Sequence, residues 1–174
     1  MDSTYLLAYF AGAIDADGYI SIQRSTRKMG ARYAHQPTYY AARIGFTGTA
    51  VPRVQALLQE RFGGSLYTHR PKNALHKPWC VWAAEGKQAE AALRAIGPYL
   101  INKAEQAALA LALIKLKSDQ WEEVKRTQKP PYHITDEMNS LRHALWEGCT
   151  KLNNPRNRTV HFLDEGGGPF PTPE

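Results

Sequence analysis

The chain of 174 residues carries 22 Lys and Arg against 16 Asp and Glu, a formal charge of +6 and a pI near 9.4. That length builds one domain with a real core, and the positive balance favours a polyanionic partner. Cys80 and Cys149 stand far apart in no metal spacing and read as free thiols in a reducing compartment; no apolar run reaches membrane-spanning length and the start lacks a signal-peptide pattern, so an intracellular protein is expected.

Residues 3–18 read first as a helix. Ser3 or Thr4 can cap it, and Leu6, Leu7, Phe10 and Ile14 form an apolar side at helical spacing. Ala8, Ala11 and Gly12 form a small-residue side suited to close helix-on-helix contact, and Gly18 is the expected stop, with a positive φ. Asp15 and Asp17 sit in the last turn, where the helix dipole disfavours acids. A divalent cation would resolve that conflict, because carboxylate oxygens suit Mg²⁺; the alternative is that both acids bond nearby backbone N–H groups.

Period-two alternation follows. In Tyr19–Lys28, Ile20 and Ile22 share one face, while Ser21, Gln23, Ser25 and Arg27 share the other. A basic hairpin loop with Lys28 and Arg32 leads to a second strand, Tyr39–Thr47. Pro52–Phe62 is a helix with Val54, Leu57, Leu58 and Phe62 inward, stopped by Gly63 and Gly64. Ser65–Arg70 and Trp79–Ala84 are a second strand pair, joined by a basic loop containing Lys72. Helices are expected over Lys87–Ile96 and Asn102–Lys117. Ser118 then caps a separate short helix, broken by Pro130 and Pro131. Thr135 caps the last helix, with Met138, Leu141, Leu145 and Trp146 inward. Residues 164–174 read as a disordered, Gly- and Pro-rich tail.

The predicted class is α+β, in the order αββαββα with extra C-terminal helices: one domain over 1–163, its core about 3–117 and its C-terminal helices about 118–152. One sheet face packs helices. The other is polar and basic, carrying Ser21, Gln23, Ser25, Arg27, Tyr39, Arg43, Thr47, Thr68 and Arg70. A two-stranded ribbon fits the DNA major groove, where Arg and Gln pair with guanine and adenine edges. Cys80 and Trp82 share a strand face; the register points them to DNA as well, with core packing of Trp82 as the alternative. The histidines show no zinc spacing.

The stretch Phe10-Ala11-Gly12-Ala13-Ile14-Asp15-Ala16-Asp17-Gly18 resembles the signature of the LAGLIDADG homing endonucleases. Phe10 and Ala13 replace the two leucines; seven of nine positions match, both acids included. The resemblance implies that two motif helices pack through their small faces and that the last acid of each binds catalytic metal. Asp17 and the Ala16 carbonyl are then the metal ligands, with Mg²⁺ as the ion and Ca²⁺ or Mn²⁺ able to take its place. Asp15 takes a structural or metal-proximal role, and Ala8, Ala11, Gly12 and Asp15 form the dimer contact. The family's basic residue at the start of the long later helix corresponds to Lys103. Its polar residue at the end of the second strand falls on Gly48, a departure after which the water-organising group is either Thr49 or missing, and Arg53 supplies a second basic group. Because the motif occurs once, the resemblance implies a homodimer. The implied activity is Mg²⁺-dependent, site-specific cleavage of a long, near-palindromic double-stranded DNA, leaving short 3′ overhangs. Its setting is an intron or other mobile element, in the cytoplasm or an organelle wherever the target DNA resides. The alternative is a weakly active or inactive relative serving as an RNA-splicing maturase, with intron RNA as partner, or as a DNA-binding regulator.

Overall fold

The computed structural model describes residues 3–26, 38–49, 53–70, 77–129 and 133–154. Four strands, β1 (Gly18–Thr26), β2 (Thr38–Thr49), β3 (Ser65–His69) and β4 (Trp79–Glu85), form one antiparallel sheet in the order β1-β2-β4-β3. The helices are α1 (Ser3–Asp17), α2 (Arg53–Phe62), α3 (Gly86–Ile96), α4 (Ala104–Thr127) and α5 (Asp136–Asn153), with a 3₁₀ turn at Gly97–Tyr99 between α3 and α4. This is the α+β order expected from the sequence.

Cross-strand partners share a face, so the register sorts every sheet residue. Ile20, Ile44 and Ala84 are mutual partners, as are Leu66, Trp82 and Phe46. These belong to one core together with Phe10, Ala11 and Ile14 of α1, Leu58 of α2, Leu93 of α3 and Leu113 of α4. Removing a side chain of this size from water stabilises the fold by about 1.5–3 kcal/mol. Trp82 is fully buried, and its indole N–H donates to the Gly63 carbonyl at 2.8 Å.

Gly63 and Gly64 end α2 with φ of 73° and 96°, a region that costs a glycine little. Gly18 does not follow the expectation of a positive φ. It already belongs to β1, and a Cβ there would lie 2.7 Å from the Ile14 Cα. Glycine is needed at that position for room, so that the strand can leave the helix end at close quarters.

Three expectations are corrected by packing. Ser118 starts no new helix, because α4 runs unbroken from Ala104 to Thr127. Its buried stripe of Gln106, Ala107, Ala110, Leu113, Gln120 and Val124 continues through the serine, whose helix penalty is a fraction of a kcal/mol. Leu57 is 41% exposed and Leu141 53% exposed. Each lies on the rim of its helix, and the inward places are taken by Gln55 on α2 and Arg142 on α5. The Thr135 cap forms as expected, its Oγ1 accepting from Met138 N at 3.2 Å.

α5 covers the outer edge of β1, where Asn153 Nδ2 donates to the Ile20 carbonyl at 2.9 Å. Lys117 of α4 covers the start of β2, which β1 pairs but β4 does not reach, its Nζ donating to the Tyr40 carbonyl at 2.7 Å. Such covers block edge-to-edge association of strands. Cys80 and Cys149 are both free and buried, and burial pushes the Cys149 thiol up from its ordinary value. A thiol titration of the native protein at pH 8 is therefore expected to find neither cysteine reacting promptly, and denaturant should release both.

Candidate active site and nucleic-acid interface

Asp15 and Lys103 bind α1 to α4 through each other's backbone. The Asp15 carboxylate accepts from the amides of Ile101 at 2.6 Å, Asn102 at 3.1 Å and Lys103 at 3.0 Å. These amides open the approach to α4, whose N-terminus favours an anion. In return Lys103 Nζ donates to the Ile14 carbonyl at 2.8 Å and the Asp15 carbonyl at 2.5 Å. The positive group that the acidic end of α1 calls for is thus an ammonium of the same chain, 6% exposed. Lys103, which the resemblance puts at the chemistry, is held by these contacts at the C-terminal end of α1, the end that also carries Asp17. Of the two roles considered for Asp15, the structural one is the one its hydrogen bonds serve.

Asp17 differs. It is exposed at the last position of α1, and its carboxylate has no hydrogen bond or ion pair among the described residues. The β1–β2 register pairs Gly18 with Phe46, so Thr47, Gly48 and Thr49 run on beside the end of α1. The backbone of Thr49 belongs to this end of the sheet, while its side chain lies outside the described residues. Arg53, exposed, opens α2 shortly beyond.

Sequence reasoning overlooked Gln55. It reaches Gly48 from α2, where a Cβ on Gly48 would lie 2.6 Å from Gln55 Nε2. That amide is bonded to the Cys80 carbonyl at 3.3 Å and is buried, so it braces the sheet.

The donors at the end of α1 suit Mg²⁺ in kind. They are the Asp17 carboxylate and the helix-end carbonyl of Ala16, both hard oxygens. They do not suffice in number, since no group of three His, Cys, Asp or Glu gathers among the described residues.

The outward side of α1 is a stripe of exposed small residues, Ala8, Gly12 and Ala16, flanked by Tyr5 and Tyr9. A Cβ on Gly12 would meet nothing within 4 Å. Ala11, expected on this side, is wholly buried in the chain's own core. At about 100° per residue it falls between Leu7 and Ile14 on the inward side.

The sheet face away from the core carries Ser21, Gln23 and Ser25 from β1 with Arg43 and Thr47 from β2, as expected. The register also puts Tyr19, Tyr67, His69, Trp79 and Glu85 there, which sequence reasoning missed. Cys80, Trp82 and Thr68 go to the other face. Trp82 fills the core, Cys80 is buried, and Thr68 Oγ1 lies 3.9 Å from Cys80 Sγ. A shift of one residue inverts every side chain of a strand, and β3 and β4 gave no clear alternation to set it. Tyr39, second in β2, has the outward parity but lies under Lys117, whose Nζ is 4.3 Å from its ring centroid. Arg70 is exposed just past β3. Arg27, Lys28, Arg32 and Lys72 lie outside the described residues.

On the outward face the Tyr19 ring lies across Gly45, where a Cβ would sit 2.4 Å from the ring. The Arg43 guanidinium is 5.8 Å from the centroid of that ring, and its Nε is 3.5 Å from Glu85 Oε1. Arg43 Nε is buried without meeting hydrogen-bond geometry, so the contact with Glu85 is one of charge. Burial raises the Tyr19 phenol above its ordinary value, with Arg43 opposing. Gly45→Ala is expected to force the ring out and cost about 1–3 kcal/mol, readable as a lower midpoint in urea. His69 stacks on Trp79 with centroids 4.8 Å apart and planes 10° apart.

No protein-family profile matches the sequence, and no curated protein matches it. Solved structures do. The homing endonuclease I-CvuI in complex with its target, with Ca present, matches over 91% of this chain and 88% of that one, at a TM-score of 0.63 and 18% identity. The group I intron-encoded homing endonuclease I-CeuI with DNA matches over 83% and 66%, at 0.60 and 12% identity. The LAGLIDADG homing endonuclease I-GzeII with its DNA target matches over 84% and 43%, at 0.57 and 14% identity. The chain has the LAGLIDADG homing endonuclease fold, as its motif led us to expect. A second I-CvuI complex, with 2 mM Mg and uncleaved DNA, matches at a TM-score of 0.65.

Proposed function

We propose that the protein is a homodimeric, Mg²⁺-dependent DNA endonuclease that makes staggered breaks in a long, near-palindromic target, acting inside the cell wherever that target lies. The observation that carries this reading is the exposed Asp17 carboxylate, without a partner among the described residues, at the end of a helix whose outward stripe is small and exposed. A second copy packed on that stripe would bring two Asp17 side chains and two Ala16 carbonyls together. Mg²⁺ held there would activate a water and stabilise the leaving oxygen at phosphorus. Asp17 would hold the ion, Thr49 and Arg53 stand at the same end of the sheet as candidates to order water and stabilise charge, and the outward sheet face would lie in the major groove. DNA-bound neighbours of the same fold support the substrate class. An origin in a mobile intron is part of the same proposal.

The direct test is cleavage of a randomised plasmid library with Mg²⁺. Defined cut sites are expected; binding without nicking would favour the alternative of a maturase or DNA-binding regulator. One observation speaks for that alternative. With Lys103 turned to helix carbonyls and glycine at position 48, two groups that the resemblance places near the phosphate are not evident.

The dimer is tested separately. A Cβ at position 12 meets nothing within 4 Å among the described residues, so in Gly12→Arg the protomer should fold while the pair falls apart. Sedimentation should change from twice the chain mass to the chain mass, with cleavage lost. A Gly12→Arg protein that still sediments as a dimer would overturn the proposed seam.

A further inference from the structure

We infer that the Arg43–Glu85 pair reads one G·C base pair in each half of the DNA target, with Tyr19 holding the guanidinium in place. The inference rests on the proposed DNA-binding face and names what part of that face recognises.

Arg43 lies within the sheet: the register sets it opposite Ser21 of β1 on one side and Glu85 of β4 on the other. Its guanidinium is confined from two directions, by the Tyr19 ring at 5.8 Å and the Glu85 carboxylate at 3.5 Å. The ring is itself seated over Gly45, the only side chain size that leaves it room. The arginine side chain is 24% exposed although its Nε is closed off. A fork held this way loses little freedom on docking.

The charge pattern separates base reading from phosphate contact. A cation meant for phosphate gains from being uncompensated, since affinity for the DNA backbone comes from neutralising phosphates. Arg43 has a carboxylate beside it, which cancels most of that attraction and would repel a phosphate. The same two groups suit a base edge. Guanine O6 and N7 accept from an arginine fork, and the cytosine amino group of the same pair donates to a carboxylate. Arg43 is level with Ser21, four residues beyond Asp17, which is about 13 Å along the strand. The recognised pair should therefore lie about four base steps outward from the end of α1.

The experiment is selection from a randomised duplex library by the full-length protein in Ca²⁺, followed by affinity measurements on the selected site. The unaltered chain should select G·C at one position in each half-site. Arg43→Ala should lose the preference at that position alone and bind the selected site about tenfold to a hundredfold more weakly. Arg43→Lys, which loses the fork, should weaken both the affinity and the preference, and Glu85→Gln should weaken the preference. Melting curves establish that each variant is folded. Two results would overturn the inference and leave the DNA-binding reading standing: an unchanged selected sequence in Arg43→Ala, meaning an ordinary surface ion pair, or a uniform loss over all sequences with a shallower salt dependence, meaning a phosphate contact. If the unaltered chain selects no duplex, the DNA-binding reading fails and this inference with it.

Discussion

Asp17→Asn is expected to slow strand cleavage at least about a thousandfold while DNA affinity stays within a few-fold. The amide retains shape and one oxygen but loses the charge that draws a divalent ion, and metal assistance of this kind amounts to several kcal/mol, each 1.4 kcal/mol being about tenfold in rate. Because Asp17 is exposed and without a partner among the described residues, the fold should not suffer, and the melting temperature should move by no more than about 1–2 °C. Two assays separate the effects: single-turnover plasmid cleavage in Mg²⁺, and a gel shift on the same target in Ca²⁺. Cleavage by the Asn variant at the unaltered rate would remove Asp17 from the chemistry.

Lys103→Met should act first on stability. It strips the two carbonyls at the end of α1 of their donor. The lysine is 6% exposed, and losing one member of a buried charged network costs about 3 kcal/mol or more. For a chain of this size that lowers the melting temperature by about 10 °C. Asp15→Ala should cost a similar amount, since three amides lose their acceptor. The double variant should cost less than the two together, because each change dismantles the same junction. Cleavage should fall in all three, since Asp17 is two residues from the junction. A Lys103→Met protein that melts normally yet does not cut would instead assign the ammonium to the reaction.

The fold was legible because its periodicities are local. Phe10 and Ile14 repeat at helical spacing and Ile20 and Ile22 at strand spacing, and the change between them at Gly18 marks the boundary of α1 and β1. The motif itself could be read from contiguous residues. Legibility failed where both faces of an element look alike. Trp79 to Ala84 is apolar on both sides and β3 is exposed almost throughout, so nothing local decided that Trp82 packs in the core while Trp79 faces outward. It failed also at Ser118, where a capping residue has only a small intrinsic preference and a 24-residue helix with a continuous buried stripe overrides it.

By itself, the sequence determined that a helix ends in two acids and a glycine, that two strand pairs follow, and that one sheet face is apolar. Each of these depends on neighbours a few residues apart. The tertiary structure alone decided what the two acids do. Asp15 is committed to amides 86 to 88 positions away and Lys103 to carbonyls 88 and 89 positions back, whereas Asp17 is left to solvent. It likewise decided that Tyr19, Arg43 and Glu85 meet. Residues from three strands come together through hydrogen-bonded register, and a spacing along the chain carries no trace of that.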